Sequence, residues 1–280
     1  MHLAFLNPQG NFDPADSHLT AHPDFGGQLV YVKQVALALG KAGHRVDIIT
    51  RLIDDPKWPE FSSVDDVYPG AANVRIIRIP AGDTNAFLAK EELWPFLVRD
   101  WVPNIRAHYG ADLPDAFTGH YGDGGIAAVL LREQTGVPFT FTAHSLGAQK
   151  LDKLLPDAEN LEALEDQYHF GVRIAAERLS MNHSGVNVVS TNLERDEQYA
   201  HPRYQDAVDA DDLTRFAVVP PGVNLETFDR DKESPVDREM ADFVSERIEA
   251  ATGRRAGLPI VVASSRLDPK TVSYTHLRAH

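Results

Sequence analysis

Short apolar runs alternate with longer segments of helical periodicity along most of this chain. Several of the short runs are apolar and β-branched throughout, which is typical of parallel strands that are covered on both faces. The runs that we interpret as strands are His2 to Leu6, Arg45 to Thr50, Val74 to Ile79, Ala116 to Thr118, Phe139 to Thr142, Val186 to Val189, Phe216 to Val219 and Pro259 to Ala263. The alternation of such strands with helices predicts the α/β fold class, with a parallel sheet flanked by helices.

Two of the longer segments carry apolar residues at helical spacing. The first stripe consists of Leu29, Val32, Val35, Ala36 and Leu39. The second stripe consists of Leu161, Leu164, Tyr168, Val172, Ala175 and Leu179. Because a helix that covers a sheet buries one apolar face, we expect both stripes to pack on the sheet.

The composition excludes several classes of protein and of site. The chain has 280 residues, 43% of them apolar, and can bury a sizeable core. It has no run of about eighteen apolar residues and no basic region at its N-terminus, so we predict no membrane span, no signal peptide and a cytoplasmic location. The absence of cysteine excludes disulfides, thiolate metal sites and a cysteine nucleophile. A formal net charge of −14 disfavours nucleic acid and anionic lipid as partners, so an anionic ligand must meet a local cationic cluster.

Two adjacent glycines, Gly26 and Gly27, precede Gln28 at the start of the helix that follows the first strand. Glycines let a ligand approach the backbone, and the first turn of a helix offers unpaired N–H groups that suit a phosphate or a polar sugar. The glycines can equally serve only the turn, and the spacing alone does not decide between these interpretations. A dinucleotide site is not favoured, because the segment lacks the G-x-G-x-x-G spacing.

Polar segments directly follow two of the predicted strands. One is GHYGDGG, which contains Tyr121 and Asp123, and the other is TAHSLGAQK, which contains His144 and Lys150. Open α/β sheets bind ligands at the carboxyl ends of their strands, so these segments predict contacts to a sugar or to a phosphorylated substrate. Asp123 can also cap the helix that follows, which we expect to begin near Gly124.

Two further groups of charged residues have ordinary interpretations when they are taken alone. Lys90 precedes a pair of glutamates at the predicted start of a helix, where a solvated lysine is unremarkable. His169, Arg173 and Glu177 are spaced four apart, which places them on one helical face, away from the apolar stripe. The spacing favours an exposed ion pair between Arg173 and Glu177.

In this order, these segments resemble a family of retaining GT-B glycosyltransferases of the sucrose-phosphate synthase type. The segments that carry the resemblance are DFGGQLVYVKQVA, KEELWP, GHYGDGG, TAHSLGAQKLDKL, VRIAAER, VPPGVN and SSRLDPK. The resemblance implies two Rossmann-like domains that face a cleft. The N-terminal domain would bind fructose 6-phosphate and the C-terminal domain UDP-glucose, and the products would be sucrose 6-phosphate and UDP.

The resemblance also implies roles for individual residues. Those that would bind the acceptor are Gly27, Gln28, Lys90, Tyr121, Asp123, Lys150 and Arg173, with the three cations at its phosphate. His144 would face the transferred glucose, while Arg266 and Lys270 would hold the donor diphosphate and, with His144, form the catalytic set. We expect no cofactor and no metal site, since arginine and lysine serve the diphosphate in this family.

The same resemblance predicts how the chain is divided. We expect an acceptor-binding domain over residues 1–252, a linker over residues 253–258, and the first strand and loop of the donor-binding domain over residues 259–270. The rest of that second domain is expected to be missing. Because that domain is incomplete, this chain alone is expected to be inactive. Residues 271–280 do not match the family and are interpreted as a non-native tail.

Several alternatives stay open. Similar enzymes use free fructose, as sucrose synthase does, or transfer mannose to fructose 6-phosphate, as mannosylfructose-phosphate synthase does. A stand-alone sugar-phosphate-binding module would explain the acceptor segments but not the predicted donor clamp. A nucleotide-dependent oxidoreductase would share the α/β fold, but this chain lacks the glycine fingerprint of such enzymes.

Overall fold

The computed structural model describes residues 1–18, 25–224, 229, 231–232 and 234–253. The chain divides into two compact units, Met1–Pro221 and Gly222–His280. The predicted strand from Pro259 to Ala263, the predicted donor residues Arg266 and Lys270, most of the predicted linker and the predicted tail lie outside the described residues.

One sheet organises the first unit. Its strands are β1 (His2–Leu6), β2 (Arg45–Arg51), β3 (Asp65–Tyr68), β4 (Ala71–Ile79), β5 (Ala116–His120), β6 (Phe139–Thr142), β7 (Val186–Val189) and β8 (Phe216–Val218). Over the described residues the strand order is β3-β4-β2-β1-β5-β6-β7-β8. Neighbouring strands pair in parallel, except that β3 runs antiparallel to β4.

The predicted strands that fall on described residues are confirmed. β1, β6 and β7 have the predicted bounds, and each of the other four differs from the prediction by one to three residues at one end. The strand that the sequence did not predict is β3, which reads Asp-Asp-Val-Tyr and lies at the edge of the sheet. Of its residues only Tyr68 is buried, so β3 lacks the continuous apolar run by which the central strands are recognised.

Helices flank the sheet of the first unit, and the described part of the second unit contains one helix. They are α1 (Gly27–Lys41), α2 (Trp94–Phe96), α3 (Val102–Tyr109), α4 (Tyr121–Thr135), α5 (Gly147–Lys153), α6 (Leu161–Tyr168), α7 (Phe170–His183) and, in the second unit, α8 (Pro235–Thr252). Short 3₁₀ turns cover Pro59–Phe61, Lys90–Glu92, Pro202–Tyr204 and Leu213–Arg215, and π-helical turns cover Leu97–Trp101 and Glu194–Tyr199. Among the described residues, none of the helices combines the length and the apolar character that a membrane crossing requires.

Apolar clusters cover both faces of the sheet. Ile48 and Ile76 belong to one cluster, which includes the buried face of α1, while the next residue on each strand, Ile49 or Ile77, belongs to the other. This alternation follows from the two-residue period of a strand. The predicted α1 stripe is confirmed, with Leu29 among its fully buried members.

The second predicted stripe is wrong for four of its six residues, since only Leu164 and Tyr168 pack against the core. The chain leaves the helical conformation at His169, whose φ is +50°, so that α6 ends before α7 begins. Val172 and Leu179 remain 49% and 44% exposed, whereas the buried residues of α7 include Phe170 and Glu177. The helix is therefore rotated relative to the prediction, and it turns a charged residue inward.

Asp47 on β2 joins three other elements through a buried carboxylate. The Nε and Nη2 atoms of Arg75 on β4 each donate to it over 2.8 Å. His2 Nε2 on β1 lies 2.6 Å from Asp47 Oδ2, and the Tyr109 hydroxyl of α3 donates to it over 3.1 Å. Burial alone would raise the pKa of Asp47, but the hydrogen bonds and charges of Arg75 and His2 outweigh it and lower the pKa.

Replacing Asp47 with asparagine is expected to lower the free energy of unfolding by about 3 kcal/mol, because Arg75 would lose its carboxylate partner. Urea unfolding of the whole chain measures this. The folded-state pKa lies below the ordinary 3.8, so the stability from ionised Asp47 is present above that pH and lost as the pH falls through the folded value. The asparagine variant lacks this part of the acid dependence.

Asp112→Asn is the matched control, since this carboxylate is 81% exposed and lies 3.4 Å from Arg45. We expect this control to change stability little, as is usual for exposed pairs. Equal effects of the two substitutions would contradict the importance of the Asp47 network.

Candidate functional site

The strand order reverses direction at β1. From β1 the sheet extends through β2 and β4 on one side and through β5 and β6 on the other. A crevice therefore opens at the carboxyl ends of β1 and β5, which is where open α/β sheets bind their ligands. The polar segments that follow β1, β5 and β6 lie at this edge.

Two histidines form a hydrogen-bonded pair at the edge. His144 follows β6, and its Nε2 lies 2.9 Å from Nδ1 of His120, the last residue of β5. The other ring nitrogen of His120 lies 3.1 Å from Thr118 Oγ1. The ring of His144 also contacts Tyr31 of α1 and Tyr121 of α4, with ring centroids 5.1 Å and 5.5 Å away. The orientation of His144 is thus fixed from several sides.

The histidine pair is held in its neutral form. Burial lowers the pKa of His144 to about 4 and lowers the pKa of His120 well below its usual range. Neutral imidazole can donate from one nitrogen and accept at the other, so the pair can share a hydrogen bond without a charge. His144 and Tyr121 also have positive φ angles, +57° and +60°, a backbone conformation that is uncommon outside glycine and that recurs at active sites.

Arg173 of α7 reaches the same edge. Its Nε donates to Glu177 Oε1 over 2.8 Å, and its Nη2 donates to the carbonyl oxygen and the hydroxyl of Ser145 over 2.8 Å and 3.2 Å. Its guanidinium carbon lies 5.8 Å from the ring centroid of Tyr121. Burial alone would lower the pKa of Arg173, but the charge and the hydrogen bond of Glu177 raise it. Arg173 is therefore a permanent cation beside the histidine pair.

The predicted exposed ion pair between Arg173 and Glu177 is wrong in its location. The side chain of Arg173 is only 12% exposed and that of Glu177 is completely buried. Glycines provide the space: a Cβ on Gly147 would lie 3.1 Å from Arg173 and Glu177 atoms, and one on Gly122 would lie 3.2 Å from Glu177 Cγ. The four-residue spacing correctly predicted that the two side chains pair, but it did not reveal that neighbouring helices cover them.

Asp123 lies in the first turn of α4 and is buried. The helix begins at Tyr121, earlier than predicted, so its N-cap is His120 rather than Asp123. Asp123 Oδ1 accepts a hydrogen bond from the backbone N–H of Gly124 over 2.8 Å. Burial raises the pKa of Asp123 to about 6, against the opposing charges of Arg173 and Lys90. Asp123 is therefore close enough to Arg173 and Lys90, two predicted phosphate ligands, for their charges to act on it.

Lys90 and Lys150 lie on separate elements. Lys90 begins a 3₁₀ turn, with its Nζ 3.6 Å from Glu91 Oε1, and lines a small cavity together with Gln9 and Arg51. Lys150 lies on α5, and its Nζ is 4.6 Å from the ring centroid of Tyr168 on α6.

Gly27 and Gln28 begin α1, on the β1 side of the crevice. Gln28 Nε2 donates to Asn7 Oδ1, and Gln28 Oε1 accepts from Gln9 Nε2 over 3.3 Å. Asn7 is fully buried and donates to the Gln9 carbonyl over 2.6 Å. Gly27 is exposed, and a Cβ there would meet no atom of the described residues within 4 Å. This first turn of α1 therefore leaves room for a ligand.

Contacts and charges link four of the predicted acceptor residues, Lys90, Tyr121, Asp123 and Arg173, and other residues join them. Sequence reasoning did not assign Asn7, Gln9, Tyr31, His120 or Tyr204. His120 carries the same signal as His144, because it ends the strand next to the one that His144 follows. Tyr204 has no such signal, since it lies in a 3₁₀ turn distant in sequence. Within the part of the chain that the structure describes, no three His, Cys, Asp or Glu side chains are grouped as metal ligands.

Comparisons with known proteins agree with this fold. A probable sucrose-phosphate synthase from Thermosipho melanesiensis is 49% identical over 271 residues, which are 96% of this chain and 58% of that relative. A probable sucrose-phosphate synthase from Beta vulgaris is 28% identical, over all of this chain and 32% of the relative. The chain therefore spans 58% or less of the length of these relatives.

A solved structure of sucrose-phosphate synthase from Thermosynechococcus elongatus matches with a TM-score of 0.69 at 24% identity, over 100% of this chain and 59% of that one. This likeness shows the GT-B fold. A family model described as the first GT-B domain of sucrose synthase matches residues 1–233. This chain therefore belongs to the glycosyltransferase family that is defined by the first GT-B domain of sucrose synthase.

Proposed function

We propose that this chain binds the acceptor in a retaining glycosyltransferase of the sucrose-phosphate synthase type, and that the acceptor is fructose 6-phosphate. The whole enzyme would transfer glucose from UDP-glucose to give sucrose 6-phosphate and UDP. In this proposal residues 1–252 form the acceptor domain, and Arg266 and Lys270 beyond the linker hold the donor diphosphate. The observation that carries the proposal is the buried guanidinium of Arg173 at the carboxyl edge of the sheet.

The donors of Arg173 support a phosphate as the ligand. Its Nε and Nη2 atoms bind Glu177 and Ser145, whereas none of the hydrogen bonds among the described residues uses Nη1. Nη1 carries two N–H groups, and a charged N–H group makes short, strong hydrogen bonds to phosphate oxygens. In a chain with a net charge of −14, such a cation is the kind of local feature that a dianion requires.

Lys90 and Lys150 would complete the phosphate site. The charge of Lys90 acts on Asp123, as does that of Arg173, so both cations lie near one carboxyl group. Lys150 lies on α5, which begins at Gly147 beside the Arg173 side chain. Gln28 and the open first turn of α1 would bind hydroxyl groups of the sugar, across the histidine pair from the phosphate site. Tyr121 and Asp123 would bind the acceptor between these two ends.

His144 would act as a hydrogen-bonding group rather than as a general base. Its pKa of about 4 makes it a weak base at neutral pH, and its ring is fixed by His120, Tyr31 and Tyr121. A neutral imidazole that faces the donor glucose can stabilise the positive charge that develops at the anomeric carbon. The acceptor proton would pass to the departing phosphate, whose charge Arg266 and Lys270 would balance.

A sucrose synthase-like activity is the second candidate, because the matching family model is described by that enzyme. Its acceptor would be free fructose. The two candidates differ in whether binding depends on a phosphate, and the buried Arg173 favours the phosphorylated acceptor.

Replacing Lys90 or Lys150 with alanine is expected to weaken the binding of fructose 6-phosphate by about tenfold, since each lysine would lose a charge-assisted contact to phosphate. The binding of free fructose is expected to change by less than about twofold. Calorimetric titration of the whole chain with both ligands measures these ratios.

Lys41→Ala is the matched control, because Lys41 is exposed at the far end of α1. It is expected to leave both affinities unchanged. Equal weakening of both ligands by Lys90→Ala and Lys150→Ala would contradict the phosphate role, and tight binding of fructose alone would favour the second candidate.

His144 is expected to stay neutral at pH 6 and to titrate near pH 4, because its burial opposes the charged form. Since its pKa falls from 6.5 to about 4 on folding, its contribution to stability is present above pH 6.5 and is lost as the pH falls through the folded value. Nitrogen NMR of the histidine rings, assigned with His144→Gln, measures the titration. A midpoint at or above 6.5 would contradict the neutral role.

A further inference from the structure

We propose that Glu177 is a positioning residue for acceptor binding: it fixes the Arg173 guanidinium and the first turn of α5 in one arrangement, so that Arg173 meets the acceptor phosphate through Nη1. The inference rests on the proposed function, because it assigns Arg173 to the phosphate. Glu177 itself would not touch the ligand.

Both oxygens of the Glu177 carboxylate accept hydrogen bonds. Oε1 accepts from Arg173 Nε over 2.8 Å, and the backbone N–H of Gly147 lies 3.0 Å from both Oε1 and Oε2. Oε2 also accepts from the hydroxyl of Tyr204. The side chain is completely buried, so its hydrogen bonds are made to protein groups rather than to bulk water. A carboxylate in this situation holds its partners in a defined geometry.

These contacts determine which edge of Arg173 is left for a ligand. Glu177 binds Nε, and the carbonyl oxygen of Ser145 binds Nη2. The planar guanidinium is therefore held along the edge formed by Nε and Nη2. Turning the group over would break both hydrogen bonds. The N–H groups of Nη1 are then presented in one orientation, which is the condition for binding a phosphate without first ordering the side chain.

The same carboxylate sets the start of α5. The N–H of Gly147 donates to Glu177, and the N–H of Ala148 donates to the Tyr204 hydroxyl over 3.0 Å. Tyr204 in turn donates to Glu177, so the first two N–H groups of α5 are satisfied by one connected network. Because α5 carries Lys150 and α7 carries Arg173, Glu177 fixes the elements that supply two of the three proposed phosphate ligands.

The test compares Glu177→Gln with the wild-type chain by titration with fructose 6-phosphate and with fructose. Glutamine keeps the size of the side chain but removes the charge that holds Arg173. We expect fructose 6-phosphate to bind about tenfold more weakly and fructose to change by less than about twofold. In an Arg173→Ala background, Glu177→Gln is expected to cause no further loss, because it acts through that arginine.

The matched control is Glu165→Gln. Glu165 on α6 also accepts a glycine N–H with both oxygens, from Gly171 over 3.0 Å, but it lies outside the proposed site. It is expected to leave both affinities unchanged.

A second pair of variants keeps the proposal testable if Glu177→Gln does not fold. Gly147→Ala retains every charge, but its Cβ would lie 3.1 Å from Arg173 Nε and from Glu177 Oε2, so the pair must shift. At Gly185 a Cβ would meet only the Phe139 carbonyl at 3.6 Å, an ordinary contact. We expect Gly147→Ala to weaken fructose 6-phosphate selectively and Gly185→Ala to have no effect.

The outcomes separate this inference from the proposed function. If the wild-type chain binds fructose 6-phosphate and Lys90→Ala weakens it selectively, but Glu177→Gln weakens both ligands equally or adds to the loss in Arg173→Ala, the positioning role is wrong and the proposed function stands. If the wild-type chain does not bind fructose 6-phosphate, the proposed function is wrong and the inference falls with it.

Discussion

The site depends on a buried carboxylate that cannot be left without partners. An ionised group taken out of water is strongly destabilising unless charge and hydrogen bonds compensate it, and Glu177 obtains both from Arg173, Gly147 and Tyr204. Satisfying this group brings α7, α5 and the turn that contains Tyr204 together at the carboxyl edge of the sheet. The same requirement that stabilises the packing therefore also gives Arg173 its fixed orientation.

The histidine pair and the arginine combine two different kinds of polar group at one edge. His120 and His144 are kept neutral by burial, whereas Arg173 is kept charged by its carboxylate partner. A neutral hydrogen-bonding surface next to a fixed cation suits a ligand that is a sugar at one end and a phosphate at the other. The net charge of −14 of the chain disfavours anions that cannot reach this cation.

The sequence predicted the central strands well, because strands that are covered on both faces need continuous apolar runs. It did not predict β3, since an exposed edge strand has no such requirement. It also rotated α7 incorrectly: the apolar spacing pointed to Val172 and Leu179, while the true buried face contains Glu177. Periodicity treats a charged residue as exposed, and it cannot register the space that Gly122 and Gly147 leave around that side chain. The family resemblance implied a phosphate-binding role for Arg173, which stays a prediction, and contacts from distant segments, such as that of Tyr204 with Glu177, became visible only in the fold.

A crystal structure of this chain with fructose 6-phosphate would show directly which atoms of Arg173 meet the phosphate. We expect a phosphate oxygen about 3 Å from Arg173 Nη1 while Nε remains bound to Glu177, with the sugar extending past His144 toward Gln28. A phosphate bound elsewhere would show that Arg173 is not its ligand, and an Arg173 that leaves Glu177 to reach the phosphate would show that Glu177 does not position it.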